Sequence, residues 1–106
     1  MPFNGLMEVS VLKGKERSYL KSLSNTLEPI LIIGKNGVTE NVIKQLDDAL
    51  EARELIKIKL LDNSGLDAKE VANDVANTLK AEFVQSIGSK FTIYRKAKEP
   101  KINIPK

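Results

Sequence analysis

The sequence predicts an α/β fold of the two-layer α+β type, in which an N-terminal helix precedes a βαβαββ order of elements and a four-stranded mixed sheet. Strand-like apolar segments alternate with segments of helical periodicity, which is the pattern of strand–helix–strand units. The last two strand-like segments are joined by Gly88-Ser89, a hairpin signal that makes them antiparallel. With 106 residues, 42% of them hydrophobic, the chain is expected to form one domain around one core.

The first element is a short basic helix over residues 14–24. Tyr19, Leu20 and Leu23 fall on one stripe of this helix, and its basic residues lie elsewhere. Pro29 then takes the chain out of helical conformation before the first strand.

The first strand and the helix after it have clear signals. Residues 30–33 are apolar at every position, which is typical of a strand covered on both faces. Thr39 is a good N-cap for the next helix, and Val38 and Ile43 occupy the hydrophobic-staple positions around it. Acidic side chains outnumber basic ones in this helix, which we call the acidic helix (residues 39–53).

Residues 55–61 alternate between apolar and polar side chains, the pattern of a strand with two different faces. Lys57 and Lys59 project from one face, and Leu55 and Leu61 lie on the same side. These two leucines indicate that the first helix covers part of the face that carries the lysines.

The second half of the chain supplies one helix and two strands. A turn at residues 62–65 and a capping-box-like pair, Asp67 and Glu70, precede the helix. Strands over residues 83–87 and 91–95 complete the sheet.

The domain is expected to span residues 12–96. Residues 1–11 have no clear period and are treated as an N-terminal extension. Residues 97–106 are interpreted as a basic, mostly extended tail, because prolines and lysines alternate there with isolated apolar residues.

The tetrapeptide Gly34-Lys35-Asn36-Gly37 is the most informative segment of the chain. A glycine turn that ends a strand and opens a helix brings backbone N–H groups, the positive end of the helix dipole and a lysine to one point, which suits an anion. Ordinary α/β connections without a ligand have the same pattern, so the turn alone leaves both interpretations open. Because parallel strands end at one edge of a sheet, the turns at residues 62–65 and 88–90 are expected to gather beside this loop.

Charge is distributed unevenly along the chain. The net charge is only +3, but basic residues gather near both ends, whereas the acidic helix and the position after it carry Glu40, Asp47, Asp48, Glu51 and Glu54. This pattern indicates one side that faces a polyanion and another side turned away from it. Solvated charge that keeps the protein soluble is the simpler explanation of any single run.

The composition disfavours catalysis. The chain has neither histidine nor cysteine, which removes the usual transition-metal ligands and the commonest general base near pH 7. Asp47 and Asp48 would point about 100° apart on a helix and do not converge as an acid–base pair. Asp62, at the end of a strand, is the best remaining candidate for a catalytic residue, but it is more simply explained as a turn residue. Because histidine and cysteine are missing, we expect neither a metal site nor a cofactor. No apolar run approaches the roughly 20 residues that span a bilayer, so we expect a cytoplasmic protein.

Several segments occur in an order that is more specific than the glycine turn alone. They are Gly14-Lys15-Glu16-Arg17-Ser18-Tyr19-Leu20, Leu27-Glu28-Pro29, Ile33-Gly34-Lys35-Asn36-Gly37-Val38-Thr39, Leu55-Ile56-Lys57-Ile58-Lys59, Ile87-Gly88 and Ile93-Tyr94-Arg95. This ordered set resembles the CRM domain family (chloroplast RNA splicing and ribosome maturation), in particular its single-domain bacterial YhbY-like members. The resemblance covers residues 12 to 99.

The resemblance implies an RNA-binding module whose fold is similar to the C-terminal domain of translation initiation factor 3. In that fold two helices cover one face of the sheet, and the fourth strand lies between the second and third and runs opposite to the rest. The family's G-x-x-G loop is associated with contact to the RNA backbone, as in KH domains, and corresponds here to Gly34, Lys35, Asn36 and Gly37. The bacterial members are associated with the precursor of the large ribosomal subunit.

The predicted RNA-binding residues are the loop and the basic residues expected near it, namely Gly34, Lys35, Asn36, Gly37, Arg17, Lys21, Lys57, Lys59, Lys90 and Arg95. A lysine at a loop tip has little packing to do, so Lys35 is the sharpest candidate. Lys57 and Lys59 are equally well explained as solvent-facing residues, and Asn36 as a turn residue. With only two tyrosines and three phenylalanines the chain lacks a stacking platform, which favours recognition of RNA backbone and shape.

The sequence therefore predicts a small, non-catalytic, monomeric protein that binds structured RNA, as a ribosome assembly factor on large-subunit precursor RNA. Two alternatives remain. In one, the protein is an adaptor whose acidic helix binds a basic protein partner. In the other, it is a small phosphate-handling enzyme that uses the same loop, although the loop lacks the lysine–serine pair of a Walker motif.

Overall fold

The computed structural model describes residues 14–62, 64–99 and 102. Within these residues the elements are α1 (Gly14–Ser24), β1 (Leu31–Ile33), α2 (Glu40–Arg53), β2 (Leu55–Leu60), α3 (Ala68–Leu79), β3 (Glu82–Ile87) and β4 (Lys90–Tyr94). This order confirms the predicted helix followed by βαβαββ, and α2 is the acidic helix.

Some of the predictions lie outside the described residues. They are the N-terminal extension over residues 1–11, the domain start at residue 12, Asn63 in the predicted turn, and tail residues 100, 101 and 103–106. Among the helices that the structure describes, none combines the length and the apolar character needed to cross a membrane.

The four strands form one mixed sheet in the order β1-β2-β4-β3. β1 and β2 are parallel, whereas β4 is antiparallel to both β2 and β3. The fourth strand thus lies between the second and third, as the resemblance implies. The carboxyl ends of β1, β2 and β3 consequently meet the first residue of β4 along one edge, which we call the loop edge (Ile33, Leu60, Ile87 and Lys90).

α2 and α3 cover one face of the sheet and enclose the larger core. The buried residues of this core include Ile33, Leu46, Leu50, Ile56, Ile58, Leu60, Ala72, Val75, Phe91 and Ile93. Both helices begin at the predicted N-caps. The Thr39 side chain accepts the N–H of Val42 at 3.2 Å, and Asp67 Oδ1 accepts the N–H of Lys69 at 3.1 Å.

α1 lies on the opposite face and covers only the half that is remote from the loop edge. Leu20, fully buried, packs there with Leu55, Val84 and Tyr94. Burial raises the pKa of the Tyr94 phenol, and the carboxylates of Glu54 and Glu16 raise it further.

Hydrogen bonds fix the end of α1 to the middle of the sheet. The Ser24 and Thr92 hydroxyls are 2.6 Å apart in a buried hydrogen bond, and Gln85 Nε2 donates to Ser24 Oγ at 3.0 Å. Leu55 is 5% exposed beneath the helix, whereas Leu61 is 44% exposed. The expectation that α1 covers part of the lysine-bearing face is thus confirmed at Leu55. The half of this face next to the loop edge, which we call the open half-face, is not covered by any helix that the structure describes.

The chain does not leave the fold at the predicted boundary after residue 96. Glu54, which ends α2 with φ 67° and is fully buried, accepts the N–H of Ala97 through Oε2 at 2.8 Å and the N–H of Ile102 through Oε1 at 2.6 Å. Ala97 is buried, and Ile102 packs against the cluster of Leu20. The first part of the predicted tail is therefore docked, because a buried carboxylate supplies acceptors for its backbone.

Candidate nucleic-acid interface

The glycine loop, residues 34–37, is a tight turn at the loop edge between β1 and α2. The Gly37 N–H donates to Gly34 O at 3.0 Å, which leaves Lys35 and Asn36 exposed at the tip. Gly37 has φ +70°, a backbone conformation that favours glycine. Among the described residues, the N–H groups of Lys35 and Asn36 have no acceptor. The turn thus presents two backbone donors beside the positive end of the α2 dipole.

The turns expected at the loop edge lie side by side. The Leu61 N–H donates to Ile33 O at 2.8 Å, which joins the end of β2 to the start of the glycine loop. The Leu60 N–H donates to Ser89 O at 2.7 Å, which joins the β3–β4 turn to the end of β2. The predicted gathering of these segments is confirmed for the described residues.

Two lysines of the open half-face are cross-strand neighbours. Lys59 of β2 pairs directly with Lys90 of β4, and Lys57 lies one row further from the loop edge, opposite Thr92. Within the described part of the chain, none of these three lysines forms an ion pair. Their positive charges are therefore available to an external anion, close to Lys35 on the glycine loop.

The two basic candidates on α1 differ from each other. The Arg17 guanidinium donates to the carbonyl oxygen of Phe83 on β3, which fastens α1 to that edge strand. Burial raises the pKa of the neighbouring Glu82 carboxyl, and the charge of Arg17 partly offsets this shift. Lys21 is exposed and borders a surface depression over β3 with Gln85. Lys21 is thus the candidate of the pair whose charge faces solvent.

Arg95 is separated from the other candidates, because it follows β4 at the end opposite the loop edge. Its Nη1 donates to Asp47 Oδ1 at 2.7 Å and to Leu79 O at 3.1 Å, and its Nη2 donates to Asp47 O at 3.1 Å. The guanidinium therefore ties α2 and α3 to β4. Arg95 lies outside the candidate interface, since its guanidinium donates hydrogen bonds to the protein itself.

The acidic helix uses part of its charge within the molecule. Asp47 pairs with Arg95, and Glu51 Oε2 accepts the N–H of Lys98 at 2.9 Å. These contacts give the acidic residues near the end of α2 a structural role.

Two exposed isoleucines on the open half-face were not among the site residues that the sequence predicted. Ile32 and Ile87 are 59% and 63% exposed. The all-apolar run at residues 30–33 predicts a strand covered on both faces, but β1 is an edge strand whose Ile32 side is open, and this prediction is wrong. Only the sheet order shows this, because nothing in an apolar run distinguishes a covered face from an open one.

Residues 12–95 match the CRS1 / YhbY (CRM) domain. The chain belongs to this family. A Bacillus subtilis protein named "Probable RNA-binding protein YqeI" is 42% identical over 96 residues, which cover 90% of this chain and 100% of that relative. A Haemophilus influenzae protein named "RNA-binding protein" is 34% identical over 98 residues, which cover 92% and 99% of the two chains.

A solved structure agrees with the architecture. The solution structure of a Staphylococcus aureus protein, described as a candidate RNA-binding protein, has a TM-score of 0.76 and 49% identity to this chain. It covers 90% of this chain and 100% of its own. The fold predicted from the ordered CRM-like segments is thus confirmed.

Proposed function

We propose that this protein binds RNA and that the loop edge is its phosphate-binding surface. One observation carries the proposal: the glycine-loop N–H groups, the N-terminal end of α2 and the lysines Lys35, Lys59 and Lys90 lie along one edge of the sheet. Each of these groups is complementary to phosphate, and phosphate contacts dominate the affinity of proteins for nucleic acids. The names of the two relatives above point to the same class of ligand.

The mechanism is anchoring and not chemistry. One phosphate is held by Lys35 and the N–H groups at the tip of the loop, in the way that helix N-termini and backbone nests hold anions. Lys57, Lys59 and Lys90 neutralise further phosphates, and Lys21 extends the basic surface onto α1. These contacts orient the domain on the RNA backbone and carry no sequence information by themselves.

We further propose that the target is structured RNA of the large-subunit precursor and that the protein acts in the cytoplasm, as a monomeric assembly factor. This part of the proposal rests on what the CRM resemblance implies for single-domain bacterial members. Crosslinking the protein to RNA in cells and mapping the crosslinked sequences tests it. Reads spread over messenger RNA or the small subunit would contradict this target.

The adaptor alternative has less support from the geometry. Asp47 and Glu51, two of the acidic residues that would bind a basic partner, are engaged by Arg95 and the Lys98 backbone. A partner would have to replace these intramolecular contacts.

Lys35→Ala tests the proposed function most directly. Because Lys35 lies at a loop tip, the change should weaken binding to a structured RNA by about 1 kcal/mol, roughly five- to tenfold in Kd, and leave the melting temperature unchanged. Lys96→Ala is the matched control, since Lys96 is also exposed but follows β4 at the opposite end of the sheet. Fluorescence anisotropy with a labelled RNA hairpin measures both. Equal effects of the two changes would show that net charge alone drives binding.

A further inference from the structure

The open half-face carries a row of four cross-strand neighbours that ends with an isoleucine on each side. Ile32 of β1 pairs with Lys59 of β2, Lys59 pairs with Lys90 of β4, and Lys90 pairs with Ile87 of β3. Residues paired in this way share a face of the sheet. With strands about 4.8 Å apart, the row is about 14 Å long and runs across all four strands at the loop edge.

Both ends of this row are exposed apolar side chains. Ile32 and Ile87 are the two most exposed large hydrophobic residues among those that the structure describes, at 59% and 63%. They flank two lysines that have no ion pair with any described residue. The row therefore combines a doubly charged centre with two apolar ends, which suits a ligand that has both phosphates and flat apolar groups.

A concavity extends from this row toward α1. Its volume is about 370 Å³, and its lining includes Lys57, Gln85, Ile87, Ser89 and Lys90. This volume lies within the range of about 300–1,000 Å³ that is typical of small-ligand pockets. Gln85 supplies an amide and Ser89 a hydroxyl to the lining, and both groups can hydrogen-bond to a base edge.

We propose that this row and its concavity bind unpaired nucleotides of the RNA whose backbone the glycine loop holds. The inference rests on the proposed function and specifies the kind of RNA: a paired region interrupted by, or ending in, unpaired bases. A fully paired helix presents phosphates and ribose hydroxyls outward and hides the flat faces of its bases, so it would leave the isoleucines exposed. Unpaired bases cover the isoleucines while their phosphates meet Lys59 and Lys90.

Charge favours RNA over a protein as the occupant of this surface. An acidic peptide with apolar residues has similar chemistry, but Lys59 and Lys90 lie at the loop edge, where the N–H groups of the glycine loop are further donors for phosphate. One polyanion can occupy both surfaces.

The test compares two blunt-ended RNA duplexes that differ only in an unpaired internal loop, so that the control duplex has no unpaired bases. Wild-type protein should bind the looped duplex roughly five- to tenfold more tightly than the fully paired one, because only the looped RNA has unpaired bases that cover the isoleucines. The double variant Ile32→Thr/Ile87→Thr should lose this preference and keep the wild-type affinity for the fully paired duplex. Threonine retains the β-branched shape of the strand residues, and Ile87→Thr alone serves if the double variant is unstable.

Two further variants separate the possible failures. Leu66→Thr, which removes an exposed leucine from the segment before α3, should keep the preference. Lys35→Ala should weaken binding to both duplexes. A wild-type protein without preference, or a double variant that retains the preference, overturns the inference. A wild-type protein that binds neither duplex overturns the proposed function itself.

Discussion

Two glycines frame the phosphate-binding loop, and their backbones differ. Gly37 has φ +70°, whereas Gly34 has no positive φ, and a Cβ added at either position would meet no atom within 4 Å. A methyl group is therefore sterically free at both positions but strained only at Gly37. Alanine variants at the two positions can therefore distinguish an effect of backbone strain in the turn from an effect of a methyl group on ligand binding.

Gly37→Ala should lower both stability and RNA affinity. The left-handed φ costs about 1 kcal/mol with an alanine side chain, and the methyl group lies where phosphate approaches the α2 N-terminus. RNA affinity should fall more than with Lys35→Ala. Gly34→Ala should leave stability unchanged, and Gly37→Asn should recover part of it because asparagine tolerates this conformation.

Thermal unfolding and RNA titration of these variants check the prediction. Asp48→Ala is the control on the acidic helix, since Asp48 is exposed there. If Gly37→Ala is destabilised but binds RNA normally, the loop backbone has only a structural role. If Asp48→Ala instead loses a protein partner, the adaptor alternative gains support.

Tyr94 makes the free energy of unfolding depend on pH in the alkaline range. Burial, with smaller contributions from Glu54 and Glu16, raises the pKa of its phenol above the usual value of 10.0. The folded state therefore holds this proton more tightly than the unfolded state, so the stabilisation is complete below pH 10 and is lost as pH rises through the folded pKa. Urea unfolding should show a steeper loss of stability above pH 10 for wild type than for Tyr94→Phe. Parallel curves would contradict a buried phenol.

At the scale of elements, the sequence correctly predicted the features that depend on neighbouring residues. α2 begins where Thr39 caps it and β2 presents Lys57 and Lys59 on one face, because capping and strand alternation depend on neighbouring residues. Arg95 and β1 behave differently. The partners of Arg95 are 48 and 16 residues away, and the open face of β1 depends on sheet order, so neither follows from periodicity.

The docking of the C-terminal segment was missed for the same reason. In the sequence, Glu54 looks like one more acidic residue beside the acidic helix. In the structure, its carboxylate accepts hydrogen bonds from the backbone N–H groups of Ala97 and Ile102. The separation in sequence is 43 and 48 residues. A buried acceptor for two distant N–H groups has no signature in composition or spacing.

Glu54→Gln should therefore destabilise the fold by about 1–3 kcal/mol, because an amide NH₂ would face one of the two backbone donors and leave it unsatisfied. Glu51→Gln is the matched control. Its side chain is exposed and accepts one N–H from Lys98, so a change within about 0.5 kcal/mol is expected. Urea unfolding measures both. Unchanged stability of Glu54→Gln would show that the segment docks through packing alone.

At the scale of the whole molecule, charge is divided between the two ends of the sheet. At the end remote from the loop edge, Arg95 is paired with Asp47 and lies 3.8 Å from Glu51. At the loop edge, Lys35, Lys59 and Lys90 have no ion pair among the described residues. Within the modest net charge of +3, these three lysines are thus positive charges at the loop edge that can attract a polyanion.

This division predicts the salt dependence of RNA binding. If Lys35 and the lysines of the open half-face neutralise about four to five phosphates, the log of the affinity should fall against the log of salt concentration with a slope of roughly −3 to −5. Lys59→Ala or Lys90→Ala should each make the slope less negative by about 0.7–0.9, because each removes one phosphate contact. Lys96→Ala, remote from the loop edge, should leave the slope unchanged. Titrations of one RNA hairpin at several salt concentrations measure these slopes, and a flat dependence in the wild type would contradict phosphate binding at the loop edge.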